Sequence, residues 1–373
     1  DINEDLKNHL VSDNYREALK QEKIDLVAVL DLQGAETLTP GQPFSFKVVL
    51  DVPPEFELPA YQGISLQGNK VEVTDQMVEE AMNDLRERAA RFEDVSGRPA
   101  QRGDLVQVDY EGACDGTPVE QIAPGARGLG QGKDFWASAD EHAFLEGFGE
   151  ALIGAGVGEK KEILINFKAD FYVKELAGKK AAYKVEVKGL REKKLPDMDE
   201  TFCKMFGEES LTSLKERVRK DIQSAKEEQE KSRLKGEIAK FLLAETRMDV
   251  PESEVQEETR NTVYDMVRYN TNHGIPRDQI EEKRGEIFEA ASRSAMEKTK
   301  LRYILHRIAE KENIVSTEED LAAEMRAFAA RYGVEEGAFR AEMEKRDAID
   351  KMREDIRLRK SSDFLLERAK VKV

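Results

Sequence analysis

The sequence predicts a multidomain α+β protein with a partial α/β segment at the N-terminus, a small β half-barrel with a short helix, and an elongated all-α region at the C-terminus. Three observations predict this fold class. The length of 373 residues is more than one ordinary hydrophobic core accommodates. Strands rich in β-branched residues concentrate between residues 95 and 190. From about residue 195 onward, helical periodicity dominates the pattern of apolar residues.

The first part of the chain mixes helix and strand signals. The predicted elements are, in chain order, a helix within 2–22 whose apolar stripe includes Ile2 and Leu6, strands over 24–32 and 44–52 separated by a turn region at 34–41, a strand over 63–73, and a helix over about 75–92. Thr74 is a candidate N-cap of that last helix. One helix and two strands are a thin basis for an independent core, so we expect residues 1–52 to be the end of a domain whose beginning lies upstream.

The C-terminal part carries the signals of a series of helices. Ser210 is a candidate N-cap, Pro251 suits the first turn of a helix, and residues 316–319 read as a capping box. The predicted helices run from 210 to about 246, 251 to about 272, about 277–312, 316 to about 333, about 335–345 and about 347–369. Residues 223–233 are polar nearly all round, which indicates a helix segment that spans solvent.

Composition excludes several classes of function. The net charge of −17 and the pI near 5.0 argue against a general nucleic-acid binder, because phosphate neutralisation requires basic surface. No apolar run is long enough to cross a membrane. The two cysteines, Cys114 and Cys203, are far apart, which fits a reducing compartment better than a disulfide framework. The four histidines show no zinc-site spacing, so no metal is expected.

Two glycine motifs fail the tests for nucleotide binding. Residues 128–133 superficially resemble a phosphate loop, but Arg127 stands where its first glycine belongs and Asp134 where a Ser or Thr is needed. The pair Gly147 and Gly149 lacks the third glycine of a dinucleotide fingerprint, and no βαβ pattern surrounds it. We therefore expect no cofactor and an activity that does not depend on ATP.

The order of motifs in the strand-rich block resembles the FKBP-type prolyl isomerases. Taken singly, each aromatic residue of the block is better explained as core. The motifs that carry the resemblance are, in order, Asp109-Tyr110-Glu-Gly112, Asp115-Gly116 followed by Val119-Glu120, Leu129-Gly130, Phe144-Leu145-Glu-Gly147-Phe148, and Gly156-Val-Gly158-Glu-Lys160. Phe171 follows in a loop and Tyr183 in the last strand.

This resemblance implies a pocket for proline and an FKBP-like half-barrel around it. Its lining would be Tyr110, Phe144, Leu145, Phe148, Phe171 and Tyr183. The Leu145 N–H would donate to a substrate carbonyl, and Glu120 takes the acidic position of the family. Two departures affect pocket shape. Val119 stands where the family usually has Phe, and an apparent insertion around residues 133–143 contains Phe135 and Trp136.

The chemistry that the resemblance implies requires neither a nucleophile nor a metal. Rotation about an Xaa-Pro bond crosses a barrier of about 18–20 kcal/mol, because the twisted amide loses its resonance. An apolar pocket removes water from the amide. This loss of water disfavours the planar, more polar ground state relative to the twisted state.

The arrangement of the whole chain resembles the trigger factor family of ribosome-associated bacterial chaperones. The segment from Leu195-Pro196 to Phe206-Gly207 and the Asp249-Val-Pro251 helix start are its most specific marks outside the isomerase block. The resemblance implies a partial ribosome-binding-like domain at 1–52, a linker at 53–92 packed with the C-terminal domain, an isomerase domain at 93–192, and a helical chaperone domain with arms at 193–373.

These resemblances predict a cytoplasmic, ATP-independent chaperone with prolyl isomerase activity. Its expected partners are unfolded and nascent polypeptides, and neither DNA nor a membrane is expected as a partner. Homodimer formation is left as an open alternative. The family's ribosome-docking loop, Gly-Phe-Arg-x-Gly-x-x-Pro, does not occur in these residues, and the chain does not begin with Met. Ribosome binding is therefore expected of a full-length protein and is doubtful for this chain alone. The alternatives are an isomerase whose helices serve only dimerisation or partner docking, and a periplasmic chaperone-isomerase.

Overall fold

The computed structural model describes residues 2–34, 44–126 and 128–372, with side chains from residue 9 onward. The chain divides into two compact units, one formed by Asp1–Val71 with Lys226–Val373 and the other by Glu72–Ala225. The side chains of Ile2 and Leu6, most of the predicted turn at 34–41, and Arg127 lie outside the described residues.

The unit Glu72–Ala225 contains a six-stranded sheet with short helices. Its elements are, in chain order, α2 (Asp75–Arg88), β4 (Arg91–Asp94), β5 (Leu105–Cys114), β6 (Thr117–Pro118), α3 (Val119–Ile122), β7 (Gln131–Ser138), α4 (Phe148–Leu152), β8 (Lys160–Asn166), β9 (Lys180–Lys194) and α5 (Glu200–Met205). The first part of the long helix α6 (Leu211–Glu245) also belongs to it.

Strands β5 and β9 form the centre of this antiparallel sheet. β9 pairs with β5, β8 and β4, while β5 pairs on its other side with β7 and β6. Alternate residues of β5 and β9 are buried, as expected for strands with one face on a core. The inward positions include Val106, Val108 and Tyr110 of β5 and Tyr183 and Val185 of β9. The sheet therefore builds one core. The predicted aromatic site residues and Leu145 belong to it or pack against it, whereas Glu120 is exposed.

A second, smaller core lies in the same unit, between α2, α5 and the start of α6. It contains Val78, Met82, Phe202 and Leu214. Thr74 caps α2 as predicted, because its hydroxyl accepts from Met77 N at 3.3 Å. The predicted end of that helix is wrong: α2 ends at Arg88, and residues 91–94 form β4, paired with the end of β9.

The other unit is mostly helical. Its elements are α1 (Ile2–Glu22), β1 (Ala28–Gln33), β2 (Lys47–Asp51), β3 (Ser65–Gln67), the rest of α6, α7 (Glu252–Asn272), α8 (Arg277–Glu282), α9 (Arg284–Lys311), α10 (Glu318–Tyr332), α11 (Glu336–Lys345), α12 (Ile349–Arg368) and β10 (Lys370–Lys372). β1 and β2 pair as an antiparallel hairpin. The multidomain α+β fold class is confirmed, with a half-barrel sheet followed by a long helical region.

The main core of the helical unit joins segments that are distant in sequence. Leu234 and Leu242 of α6, Ile304 of α9 and Leu365 of α12 pack with Leu66 of β3. The last described residues form β10, which pairs in parallel with β3. The predicted strand over 63–73 is thus only three residues long, and its partner was not predicted.

Most predicted helix starts are confirmed, with two corrections. Ser210 Oγ accepts from Ser213 N at 3.1 Å at the start of α6. The capping box of α10 lies one residue later than predicted, because Thr317 and Asp320 exchange the two bonds. The helix predicted over 277–312 is interrupted at Lys283, which separates α8 from α9. Within the described ranges, no helix combines the length and apolar character that a membrane span requires.

Candidate active site

Four aromatic residues of the predicted site form one connected ring cluster. Tyr110 of β5 lies 5.1 Å from Phe144, 5.8 Å from Phe148 and 6.2 Å from Tyr183, measured between ring centroids. Phe148 also contacts Phe144 at 4.8 Å and Tyr183 at 5.9 Å. Tyr183 and Phe148 are fully buried and Tyr110 nearly so, whereas Phe144 is half-buried. The structure therefore brings together residues that are as far apart in sequence as Tyr110 and Tyr183.

Glycines next to the rings make this packing possible. A Cβ on Gly112 would lie 2.4 Å from the Tyr183 ring, and a Cβ on Gly132 would lie 2.4 Å from the Tyr110 ring. Cross-strand register explains both contacts, since Gly112 is paired with Tyr183 and Tyr110 with Gly132. Each tyrosine ring therefore lies over the glycine opposite it, in space that a side chain at that glycine position would occupy.

Leu145 lies in the turn that leads into α4. Its side chain is buried in the same core, and its carbonyl accepts from Phe148 N at 3.1 Å. Across the described ranges, its own N–H has no hydrogen-bond partner. Gly147, at φ +84°, provides the left-handed residue that the turn requires. The turn thus places a free main-chain donor between Phe144 and Phe148.

Two predicted site residues lie apart from the ring cluster. Glu120 of α3 is exposed, and its carboxylate accepts from Gln131 Nε2 at 2.9 Å. The Tyr110 hydroxyl donates to the Gly128 carbonyl and not to Glu120. Phe171 is half-buried against the same core, but its ring contacts are with Phe167 at 4.7 Å and Tyr172 at 4.5 Å.

Phe135 also belongs to the cluster, although it was predicted as part of an insertion that affects pocket shape and not as a site residue. Its ring lies 5.0 Å from Phe144 and 5.6 Å from Tyr110, so it extends the cluster on its half-buried side. The apparent insertion around 133–143 is in part strand β7, which pairs with β5 from Leu105 to Glu111. The residue pattern Lys-Asp-Phe-Trp-Ala-Ser at 133–138 could have signalled a strand that presents Phe135 to the core.

Hydroxyl groups of the site are bound within the protein. Tyr183 Oη donates to the Leu129 carbonyl at 2.8 Å. Burial raises the pKa of Tyr110 and of Tyr183, so both phenols stay protonated and act as donors. Across 2–34, 44–126 and 128–372, no three His, Cys, Asp or Glu side chains are grouped so that they could hold a metal ion.

Three family models match the chain and together span most of it. A bacterial trigger factor model matches residues 1–85, an FKBP-type peptidyl-prolyl cis-trans isomerase model residues 96–188, and a bacterial trigger factor C-terminus model residues 210–367. The isomerase match contains the whole ring cluster.

Sequence relatives cover the chain from end to end. The trigger factor of Opitutus terrae is 33% identical over 100% of this chain and 85% of its own length. That of Caldicellulosiruptor bescii is 31% identical over 99% of this chain and 83% of its own length. A solved trigger factor chaperone structure covers 96% of this chain and 82% of its own, at 21% identity and a TM-score of 0.47.

The family assignment follows from the sequence relatives and the family models. These trigger factor relatives match the whole chain. They favour neither an isomerase whose helices serve only dimerisation or partner docking nor a periplasmic chaperone-isomerase. An FKBP-type domain lies between the two trigger factor regions, as the order of motifs predicted. The chain belongs to the trigger factor family and is a chaperone with an FKBP-type prolyl isomerase domain.

Proposed function

We propose that the ring cluster is the prolyl-binding site of the isomerase. The observation that carries the proposal is the free Leu145 N–H beside the half-buried face of Phe144. Tyr110, Phe148 and Tyr183 support that face from within the core, and Phe135 borders it. Phe171 would form a separate wall, since its ring stands with Phe167. Glu120, which is exposed and bonded to Gln131, would act at the rim and not on the proline.

The proposed mechanism uses loss of water and one hydrogen bond. Aromatic walls exclude water from the Xaa-Pro amide, and the planar amide loses more stabilisation from this than the less polar twisted amide does. The Leu145 N–H would hold a substrate carbonyl so that the prolyl ring rotates against a fixed chain. A lowering of the barrier by about 4 kcal/mol would accelerate the reaction about 1000-fold.

Phe144→Ala tests the site. This truncation removes the apolar wall that substrate meets and leaves the fully buried rings of Phe148 and Tyr183 in place. We expect kcat/KM for a short Xaa-Pro peptide to fall at least about 10-fold, the equivalent of about 1.4 kcal/mol of lost contact. Phe92→Ala, which truncates a 45% exposed ring of β4 in the same unit, is the matched control. Unchanged kcat/KM in a folded Phe144→Ala protein would show that proline binds elsewhere.

We also propose that unfolded polypeptides bind the helical unit. Between α7, α8 and α9 lies a groove of about 1020 Å³ whose apolar lining is formed by Met266, Tyr269, Ile275, Ile280, Ile287 and Ala290. Tyr264, Phe288 and Met296 are more than half exposed on the same helices. Exposed apolar surface of this kind is typical of protein-binding faces.

The remaining expectations about partners and location depend on the family. Trigger factor relatives support a cytoplasmic chaperone that accepts nascent chains at the ribosome. Domain boundaries at 52, 92 and 192 stay predictions. Co-sedimentation of the chain with ribosomes, with and without a synthesised nascent chain, tests the ribosome contact.

A further inference from the structure

The glycine-rich residues 128–132 do not resemble a working phosphate loop, yet they contact the proposed site closely. Three consecutive carbonyls of this segment, here called the strap, accept hydrogen bonds. The Gly128 carbonyl accepts from Tyr110 Oη and the Leu129 carbonyl from Tyr183 Oη at 2.8 Å. The Gly130 carbonyl accepts from Gly112 N at 2.7 Å. Two of the three donors are phenols of the ring cluster.

The strap also fits tightly against its surroundings. A Cβ on Gly132 would meet the Tyr110 ring, and a Cβ on Gly130 would lie 2.4 Å from Glu120 Cγ and 3.0 Å from Glu120 N. The Leu129 side chain is buried in the same apolar core as the ring cluster, with 6% of its surface exposed. Because the strap includes the first two residues of β7, Gln131 and Gly132, it also sets the start of the strand that carries Phe135.

We propose that the strap positions the rings of Tyr110 and Tyr183. By accepting hydrogen bonds from their hydroxyls, it also prevents these hydroxyls from donating to substrate. This assignment deepens the proposed function and rests on it. Both phenols are donors whose partners are strap carbonyls, so neither is left to bind a substrate carbonyl. The substrate is therefore recognised by apolar contact and by the main-chain donor of Leu145. Tyr110, Tyr183 and the strap are positioning residues for the isomerase.

Tyr110→Phe and Tyr183→Phe in the full chain test the assignment. Each keeps the ring and removes one bond to the strap, worth about 0.5–1.5 kcal/mol, or about 2- to 12-fold in an equilibrium. We expect hydrogen exchange of the Gly112 amide, which donates to Gly130, to accelerate by that factor without substrate. We expect kcat/KM for an Xaa-Pro peptide to fall within the same range. Tyr332→Phe, whose ring is 66% exposed at the end of α10, should change neither quantity.

A second perturbation separates positioning from direct contact with substrate. Gly130→Ala strains the strap without altering a hydroxyl. If the Gly130→Ala protein does not fold, Leu129→Ala is used in its place. If the strap positions the rings, the loss of kcat/KM in Tyr110→Phe combined with Gly130→Ala should be smaller than the product of the single losses.

The outcomes distinguish this inference from the proposed site itself. A fall in kcat/KM with unchanged Gly112 exchange would overturn the strap assignment, because the hydroxyls would then act on substrate. No change in either Gly112 exchange or kcat/KM would overturn it as well, since the hydroxyl hydrogen bonds would then neither stabilise the strap nor contribute to catalysis. Phe144→Ala provides the separate check on the site. If the folded variant has a normal kcat/KM, the ring cluster is not the prolyl-binding site, whatever the exchange rate of the Gly112 amide.

Discussion

At the scale of single residues, the candidate site depends on glycines as much as on aromatic rings. The order of motifs along the sequence predicted one lining of six residues, and four of their rings form one cluster: Tyr110, Phe144, Phe148 and Tyr183. The Phe171 ring packs elsewhere, against Phe167 and Tyr172. Which small residue each ring covers could not be predicted, because that depends on cross-strand register. Phe135 was not predicted as a site residue for the same reason.

Gly112→Ala should destabilise the isomerase unit strongly. The new methyl would lie 2.4 Å from a Tyr183 ring that is fully buried and hydrogen-bonded through its hydroxyl, so the ring has no free direction in which to move. We expect a loss of about 1–3 kcal/mol, the usual cost of overpacking a core. Denaturant unfolding followed by the fluorescence of Trp136 measures this loss as a shift in the midpoint. Trp136 is the only tryptophan in the sequence and lies on β7 of the same sheet.

Gly125→Ala is the matched control for that substitution. Its Cβ would meet nothing within 4 Å, and its backbone is not in the left-handed region. The midpoint should therefore barely move. Equal midpoints for Gly112→Ala and Gly125→Ala would contradict the close approach of the Tyr183 ring to Gly112.

At the scale of elements, helices were predicted better than short strands. Long apolar periodicity and capping residues located α6, α7, α10 and α12 within a few residues. β3 and β10 have three residues each and owe their pairing to contact between segments about 300 residues apart. β4 follows α2 without a glycine or proline at the boundary, and only its pairing with β9 makes it a strand. Local sequence carries too little information about such elements.

The start of β5 depends on a buried carboxylate. Asp104 is 4% exposed and accepts from Arg98 Nη1 at 2.6 Å, Arg98 Nη2 at 3.1 Å and Gln101 N at 2.8 Å. Burial acts to raise the pKa of Asp104, but the bonds from Arg98 and Gln101 outweigh it and hold the pKa below its usual value. The Asp104 carbonyl also accepts from Ala139 N at 2.8 Å, which joins the end of β7 to this corner.

Asp104→Asn should show a characteristic pH dependence. The folded-state pKa is lower than the unfolded one of about 3.9, so the carboxylate stabilises the fold above pH 4 and loses this effect as pH falls through the folded pKa. We expect the free energy of unfolding of Asp104→Asn to be lower than that of wild type by about 1.5–3 kcal/mol at pH 5–8, a difference called the deficit below. Below about pH 4 the deficit should shrink.

The surface ion pair nearby provides the comparison for Asp104. Asp94→Asn removes an 81% exposed partner of Arg191 and should change unfolding little at any pH. Urea unfolding of the three proteins from pH 2 to pH 8 measures the differences. A deficit for Asp104→Asn that does not vary with pH would show that the folded-state pKa of Asp104 is not lowered.

At the scale of the whole molecule, the two proposed sites lie in different units. The ring cluster belongs entirely to the unit Glu72–Ala225, and the apolar groove between α7, α8 and α9 belongs entirely to the other. The sequence predicted both functions from the order of motifs, but not the groove, because apolar residues on a helix face serve a core and a binding surface alike. Only their exposure in the folded unit distinguishes Tyr269 and Phe288 from core residues.

Reciprocal variants should therefore separate the two activities. Ile275→Ser with Phe288→Ser, at positions 39% and 56% exposed, should weaken suppression of client aggregation several-fold and leave the isomerisation of a short peptide unchanged. Phe144→Ala should do the reverse, since it alters only the ring cluster. Leu164→Ser, at a 73% exposed position of β8, is the control for removing exposed apolar surface in general. Light scattering of a stoichiometric client and peptide isomerisation measure the two activities, and if Phe144→Ala loses both while folded, clients are held through the isomerase site and not through the groove.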